Sequence, residues 1–113
     1  MKTINRTAIY VGPKQPYVDW ANSFDDGGPT LSLDEAHGVT FLIPDTYDET
    51  NFEKWLKRNF KEIFYQELDS WMRDPDFWPS KLTYKMFNEW FDVRVSGLTI
   101  DAGKGMIVAD DEY

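Results

Sequence analysis

A run of apolar residues between positions 52 and 72 recurs at helical spacing, and it constrains the fold more than any other part of the sequence. The steps of three, one and four residues place the whole run on one side of a helix of about 20 to 25 residues. Its members are Phe52, Trp55, Leu56, Phe60, Ile63, Phe64, Leu68, Trp71 and Met72. A straight helix of that length would extend roughly 30–37 Å. That is longer than a small domain is wide, so we expect a bend or a break.

Short runs rich in β-forming residues predict the strands. They lie at residues 6–12, 39–43 and 91–95, and each contains β-branched or aromatic side chains. The second run is almost continuously apolar, so we expect a well-buried strand there. Residues 106–109 predict a weak last strand that pairs back onto the sheet.

Proline and capping residues predict the shorter helices. Pro16 suits the first turn of a helix, and the apolar positions after it recur at helical spacing. Thr83 is the expected N-cap of a helix that ends near Trp90. Residues 32–35 have the capping-box pattern that is typical of a single helical turn.

This order of elements predicts an α+β fold. We expect a two-layer sandwich in which helices pack mainly on one face of a three- or four-stranded mixed sheet. If the first two strands are neighbours, the helical connection between them favours a parallel pair, with the last strand antiparallel to a neighbour. A length of 113 residues predicts one domain over residues 1–109, followed by an acidic tail at 110–113.

The balance of charge disfavours several classes of function. Twenty Asp and Glu against 12 Lys and Arg give a net charge of −8, which disfavours general nucleic-acid binding and anionic membranes. The absence of cysteine excludes disulfides, zinc–thiolate sites and cysteine nucleophiles. No apolar run reaches the ~18 residues of a membrane helix, and residues 1–6 lack the apolar core of a signal peptide. We therefore expect a cytoplasmic protein without a cofactor.

Three segments carry a likeness to a known family. They are the opening residues 6–20, the late residues 87–93 and, in mid-chain, Glu62, Ile63, Phe64, Glu67, Leu68 and Trp71. Together they resemble a group of small bacterial proteins of unknown function, over most of the chain. The shared residues are mostly packing residues, so the resemblance carries over no activity. It implies a bacterial, cytoplasmic, single-domain protein.

A basic stripe on the predicted long helix is the first candidate site. Four cations recur at helical spacing, namely Lys54, Lys57, Arg58 and Lys61. On an acidic protein such a face could hold an anionic partner. The alternative interpretation is a solvated helix face, in which Glu53 pairs with Lys57 and Arg58 pairs with Glu62.

Two large aromatic residues in a proline-bounded connection are the second candidate. Phe77 and Trp78 lie between Pro75 and Pro79, outside any helical stripe. Loop aromatics of this kind anchor a partner or stack on a ligand. The alternative is that they plug the end of the core beneath the long helix.

The acidic residues suit structural roles better than metal binding. They cluster at Asp25 and Asp26, at residues 45–49 and at residues 74–76, where caps and turns explain them. A calcium loop that starts at residue 74 fails, because Pro79 stands where such a loop needs glycine.

We interpret the chain as a non-enzymatic module that contacts another protein or a second copy of itself, through the basic stripe and the two loop aromatics. The alternative is a small enzyme or ligand-binding protein that uses carboxylate or tyrosine chemistry. Its first candidate residues are Tyr10, Asp19, His37 and Asp45, because strand ends and the following loops often carry sites. A third interpretation, an acidic mimic of nucleic acid, is disfavoured because the acids are spread along the chain.

Overall fold

The computed structural model describes residues 1–24, 28 and 30–110. Within these residues the chain forms short strands and α-helices, which confirms the predicted α+β class. The strands are β1 (Lys2–Thr3), β2 (Arg6–Pro13), β3 (Val39–Pro44), β4 (Phe91–Ser96) and β5 (Ile100–Asp101). The helices are α1 (Gln15–Ala21), α2 (Phe52–Trp71) and α3 (Tyr84–Trp90), with a 3₁₀ turn over Pro75–Phe77.

The strand β2 is the centre of a three-stranded sheet, and its neighbours β3 and β4 both run antiparallel to it. Val11 pairs with Val39 on one side and with Val93 on the other. The expected parallel pair and mixed sheet are therefore wrong. The reason is that the chain does not cross the sheet after β2. Instead it returns to the same end, where the Gly38 N–H donates to the Tyr10 hydroxyl (3.0 Å).

Two expectations about single strands are also wrong. β3 lies at the sheet edge and its side chains alternate, so Ile43 is buried whereas Leu42 is 48% exposed. The apolar run at this position therefore belongs to an edge strand. Residues 106–109 are exposed and form no strand. The Asp101 carboxylate accepts from the Gly103 N–H (2.9 Å) in the turn where β5 ends, and β5 pairs with β1 instead.

The helices begin and end close to where the sequence predicts. Pro16 lies in the first turn of α1, and the Thr83 hydroxyl caps α3 by accepting from the Met86 N–H (3.1 Å). α2 continues without interruption for 20 residues, so the expected break is wrong. Its length of about 30 Å fits along the longest dimension of the molecule, which is 46 Å.

Aromatic rings from α2, α3 and β4 form the centre of the core. The Phe64 ring centroid lies 6.0 Å from that of Phe87 and 5.3 Å from that of Phe91. Ile9 and Ile43 on the sheet belong to the same buried cluster. The side of α2 that the apolar spacing selects is thus its buried side. The two-layer arrangement and the boundaries of the single domain stay predictions.

The substitution Phe64→Ala should lower the free energy of unfolding by about 3–5 kcal/mol, because it removes a fully buried ring from between two others. The control is Phe77→Ala, whose ring is 54% exposed and whose loss should cost about 1 kcal/mol or less. Urea unfolding measures both values. Equal losses in the two variants would contradict this account of the core.

Candidate functional site

The four predicted cations lie together on the exposed side of α2, and we call them the basic face. Lys54, Lys57, Arg58 and Lys61 are all exposed. They occupy three levels along the helix about 5 Å apart, because successive levels are three or four residues apart in sequence. The apolar stripe fills the opposite side of α2, so the core does not bury these side chains.

The acidic residues expected to neutralise the basic face do not do so. Among the residues that the structure describes, no carboxylate oxygen lies within 4.0 Å of any of these cations. The expected pairs of Glu53 with Lys57 and of Arg58 with Glu62 are therefore absent from the described ion pairs. Lys57 instead places its Nζ atom 5.9 Å from the centroid of the Tyr84 ring, a contact worth about 0.5–1 kcal/mol at an exposed site.

An aromatic pair extends the basic face towards the end of α2. Tyr65 follows Lys61 by one turn and is 45% exposed. Its ring stacks on Trp78, with centroids 5.8 Å apart and planes at 25°. The indole N–H of Trp78 donates to the Met72 carbonyl (2.6 Å), so the connection after α2 holds this ring in a fixed position.

Phe77 lies on the other side of the connection from Trp78. Its ring packs edge-on against Phe24 at 5.7 Å, and its carbonyl accepts from the Trp20 indole N–H (3.2 Å). The structure therefore brings Trp78 next to the basic face and leaves Phe77 among the aromatic residues of α1. Trp78 is half-buried and Phe77 is exposed, and the choice between a plug and an anchor stays a prediction.

A second site is a cleft of about 200 Å³ at the other side of α2, which we call the Glu67 cleft. Four parts of the chain form it, namely the end of β2, α1, the loop before β3 and the last turns of α2. Its walls include Tyr17, Leu31, His37, Glu67, Ser70 and Trp71. It unites residues that are distant in sequence, so sequence patterns alone could not reveal it.

The loop that covers the cleft is fixed by hydrogen bonds of its own. The Asn22 side chain donates to the Leu31 carbonyl (2.6 Å) and accepts from the Leu31 N–H (2.8 Å). The Ser32 hydroxyl donates to the Glu35 carboxylate (2.7 Å). Residues 32–35 thus form the predicted turn, although as a hydrogen-bonded turn without α-helix. These contacts hold Leu31 against the cleft.

Tyr17 joins α1 to α2 at the base of the cleft. Its hydroxyl donates to the Glu67 backbone carbonyl (2.8 Å), which also accepts from the Ser70 hydroxyl (2.7 Å). Burial, together with the nearby Glu67 charge, raises the pKa of Tyr17 to about 12, against the effect of a hydrogen bond with Ser70. The hydroxyl therefore keeps its proton and remains a donor at neutral pH.

Glu67 is the buried acidic residue of this cleft. Only 6% of the residue is exposed, and its Oε1 atom has no hydrogen-bond partner among the described residues. Burial raises the pKa of its carboxyl group from 4.5 to about 7, because the apolar surroundings disfavour the charged form. A carboxyl group with a pKa of about 7 is present in both its neutral and its ionised forms near neutral pH.

The sequence itself marks Glu67 as unusual, because this acidic residue stands at a core position of the helical spacing. Position 67 lies three and four residues after Phe64 and Ile63, so it belongs to the buried stripe of α2 by spacing. An acidic residue at a core position of a helix is rare unless it has a partner or a function. The contrast between an acidic side chain and a buried position therefore identifies Glu67 as a candidate functional residue.

The residues first considered for carboxylate or tyrosine chemistry are not gathered in this cleft, with one exception. His37 lines it, whereas Tyr10, Asp19 and Asp45 do not. Tyr10 is exposed on the outer face of the sheet, and Asp19 accepts a hydrogen bond from Gln15 (2.8 Å) within α1. The interpretation as a small enzyme stays a prediction.

Two of the predicted acidic clusters, at residues 45–49 and 74–76, each contain an acid that acts as a cap or in a turn, as the sequence predicts. Asp74 accepts from the Asp76 N–H (3.0 Å), and Asp48 accepts from Thr50 (2.6 Å from its hydroxyl). The hydrogen bonds from Thr50 lower the pKa of Asp48. The predicted cluster at residues 25–26 lies outside the described residues. Within the described ranges, no three acidic or histidine side chains are grouped so as to hold a metal ion.

In comparisons with known proteins, no family model, no curated protein and no solved structure matches the chain. The resemblance to small bacterial proteins therefore stays a prediction. None of the helices in the described part of the chain has both the length and the apolar character that a bilayer crossing requires. The functional argument accordingly depends on the basic face and the Glu67 cleft themselves.

Glu67 should make the protein less stable as the pH rises. Its pKa is 4.5 in the unfolded chain and about 7 in the folded one, so the folded state binds more protons between these values. The contribution of Glu67 to stability is therefore greatest below pH 4.5, falls as the pH rises through about 7, and stays lower above it. Urea unfolding over this range, in the wild type and in Glu67→Gln, measures the effect.

At about pH 8 the Glu67→Gln variant should be more stable than the wild type by about 2 kcal/mol, a value reduced for partial solvent screening. Near pH 4 the two should be alike, because Glu67 is then neutral. Glu62→Gln, at an exposed position of α2, is the control and should change little. A Glu67→Gln variant that is less stable than the wild type at high pH would refute this assignment.

Proposed function

We propose that this chain is a non-enzymatic interaction module that binds an acidic segment of another protein along the basic face of α2. The observation that carries the proposal is the set of exposed cations on one side of α2, without a carboxylate of the described residues within 4.0 Å. Cations that form no ion pair within the described part of the chain have no such pair to break when they meet a partner. An uncompensated positive face on a protein of net charge −8 is therefore a favourable docking surface.

The spacing of the cations suits an extended peptide. Residues 54, 57–58 and 61 form three levels that span roughly 10 Å along the helix axis. An extended chain advances about 3.3 Å per residue, so acidic side chains on alternate residues lie about 6.6 Å apart. Three such side chains would span about 13 Å, against the roughly 10 Å of the basic face, and the long flexible side chains of lysine and arginine can cover the difference. This spacing is compatible with a segment that has acids at every second position.

The aromatic pair of Tyr65 and Trp78 supports an apolar contact at one end of the same surface. Tyr65 is partly exposed and continues the line of cations by one further turn. A partner segment with an apolar residue after its acids would cover this pair, and aromatic residues are common anchors of interfaces. We propose Phe77, the exposed aromatic residue of the same connection, as an additional contact.

The net charge favours a short acidic segment over a nucleic acid as the occupant. A long polyanion would meet the whole negative surface of the chain, whose charge is −8. A short segment senses charges only within the Debye length, which is about 8 Å at physiological ionic strength. We propose that the module acts in the bacterial cytoplasm, as the absence of cysteine and the sequence resemblance suggest.

Reversing two charges of the basic face should weaken the binding of an acidic peptide. The probe is a fluorescein-labelled peptide of alternating glutamate and leucine, and the variant is Lys57→Glu/Arg58→Glu. Two reversed surface charges should reduce the affinity by about tenfold. Fluorescence anisotropy measures the dissociation constant, and added salt should weaken the wild-type complex because exposed charges are screened.

The matched control is Lys2→Glu/Lys104→Glu, which makes the same change of net charge near β1 and β5. It should leave the affinity within about twofold of the wild type. Equal losses in the two variants would show a non-specific charge effect and would refute the assigned face. Sedimentation of the wild type tests the other occupant, because a dimer that the Lys57→Glu/Arg58→Glu variant abolishes would identify a second copy instead.

A further inference from the structure

We propose that the Glu67 cleft binds a small organic cation that carries N–H donors, such as a primary alkylammonium or an alkylguanidinium. This inference is independent of the docking proposal. Glu67 falls on the buried side of α2, whereas the four cations fall on its exposed side. The basic face and the Glu67 cleft can therefore be altered separately.

The hydrogen-bond donors around Glu67 are already used by backbone carbonyls. The hydroxyl groups of Tyr17 and Ser70 both donate to the Glu67 carbonyl, at 2.8 and 2.7 Å. The indole N–H of Trp71 donates to the Ala21 carbonyl (2.7 Å) and so joins the end of α1 to α2. These groups have no second proton to offer to a ligand. The side chains in the wall thus offer little to an anion.

The acceptor in the same wall is left unsatisfied. Glu67 Oε1 is buried without a hydrogen-bond partner among the described residues, and a buried polar atom in that state costs about 1–3 kcal/mol. A ligand that displaces the groups covering Oε1 and brings an N–H group to it would remove this cost and would neutralise the ionised carboxylate. Glu35, a second carboxylate at the cleft, adds to the negative potential that attracts a cation.

The shape and the walls of the cleft suit a ligand with a short hydrocarbon part. Its volume of about 200 Å³ exceeds the roughly 150 Å³ cavity that admits a benzene-sized molecule. Leu31, Tyr17 and Trp71 provide apolar and aromatic surface. A cation with a chain of about four carbons could place its charge at Glu67 and its chain against these residues.

His37 lies at the outer part of the cleft, where its side chain is exposed. No hydrogen bond between His37 and Glu67 is formed in the described structure. Among the described residues, Glu67 Oε1 therefore has no hydrogen-bond partner.

The test is an NMR titration of the ¹⁵N-labelled protein with n-butylammonium chloride at about pH 8, where Glu67 is largely ionised. We expect saturable shifts at the residues of the cleft, with a dissociation constant on the order of 1 mM for so small a ligand. N-butylguanidinium, which shares the N–H donors and the charge, should shift the same residues.

Two matched probes separate charge from hydrogen bonding. n-Butanol has the same chain without the charge, and butyltrimethylammonium has the charge without N–H donors. Both should bind roughly tenfold more weakly than n-butylammonium. The proposal would be overturned if either probe bound as tightly as n-butylammonium does, or if n-butylammonium caused no saturable shifts. These comparisons use the wild type alone, so they do not depend on the folding of any variant.

The Glu67→Gln substitution then tests the assigned acceptor. It should reduce the affinity for n-butylammonium by roughly tenfold or more. The exposed control Glu62→Gln should bind n-butylammonium with the affinity of the wild type. A Glu67→Gln variant that folds and binds with unchanged affinity would overturn the proposal. The Lys57→Glu/Arg58→Glu variant should bind n-butylammonium no more weakly than the wild type, so a failure of the docking proposal remains distinguishable.

Discussion

The burial of one side of α2 is the constraint on which the rest of the structure depends. Leu56, Phe60, Ile63, Phe64 and Leu68 all lie in the core, and together they bind the helix to the sheet and to α3. Once this side is buried, the rotation of the helix about its axis is fixed. The remaining positions of the helix then form its exposed side, and they include the four cations of the basic face. The buried side also includes Glu67.

Glu67 is an acidic residue that occupies a core position of α2. Its neighbours along the stripe are apolar, so the folding of α2 forces the carboxyl group out of water. Tyr17 and Ser70 approach the same turn but donate to the backbone carbonyl of Glu67 and not to its carboxylate. The described part of the fold therefore keeps a costly group without a hydrogen-bond partner for its Oε1 atom. The proposed cationic ligand would be that partner.

The sequence predicts the elements well because each is encoded locally. Helical spacing locates α2, Thr83 caps α3 and three β-rich runs become the strands of the sheet. The antiparallel pairing of β2 with β3 depends on the path of a long connection, which no local pattern encodes. The pairing of β1 with β5 joins two-residue strands at opposite ends of the chain. The basic face could be predicted from the spacing of its residues within one helix. The Glu67 cleft could not, because its residues come from parts of the chain that only the folded structure brings together.

The carboxyl ¹³C resonances of the glutamate side chains, followed by NMR over a pH titration, test the account most directly. One resonance should titrate near 7, the value to which burial raises the Glu67 pKa. That resonance should be missing from the spectrum of the Glu67→Gln variant. If the Glu67 resonance instead titrates near its ordinary value of 4.5, the carboxyl group is solvated and the cleft is not the buried acidic site described above.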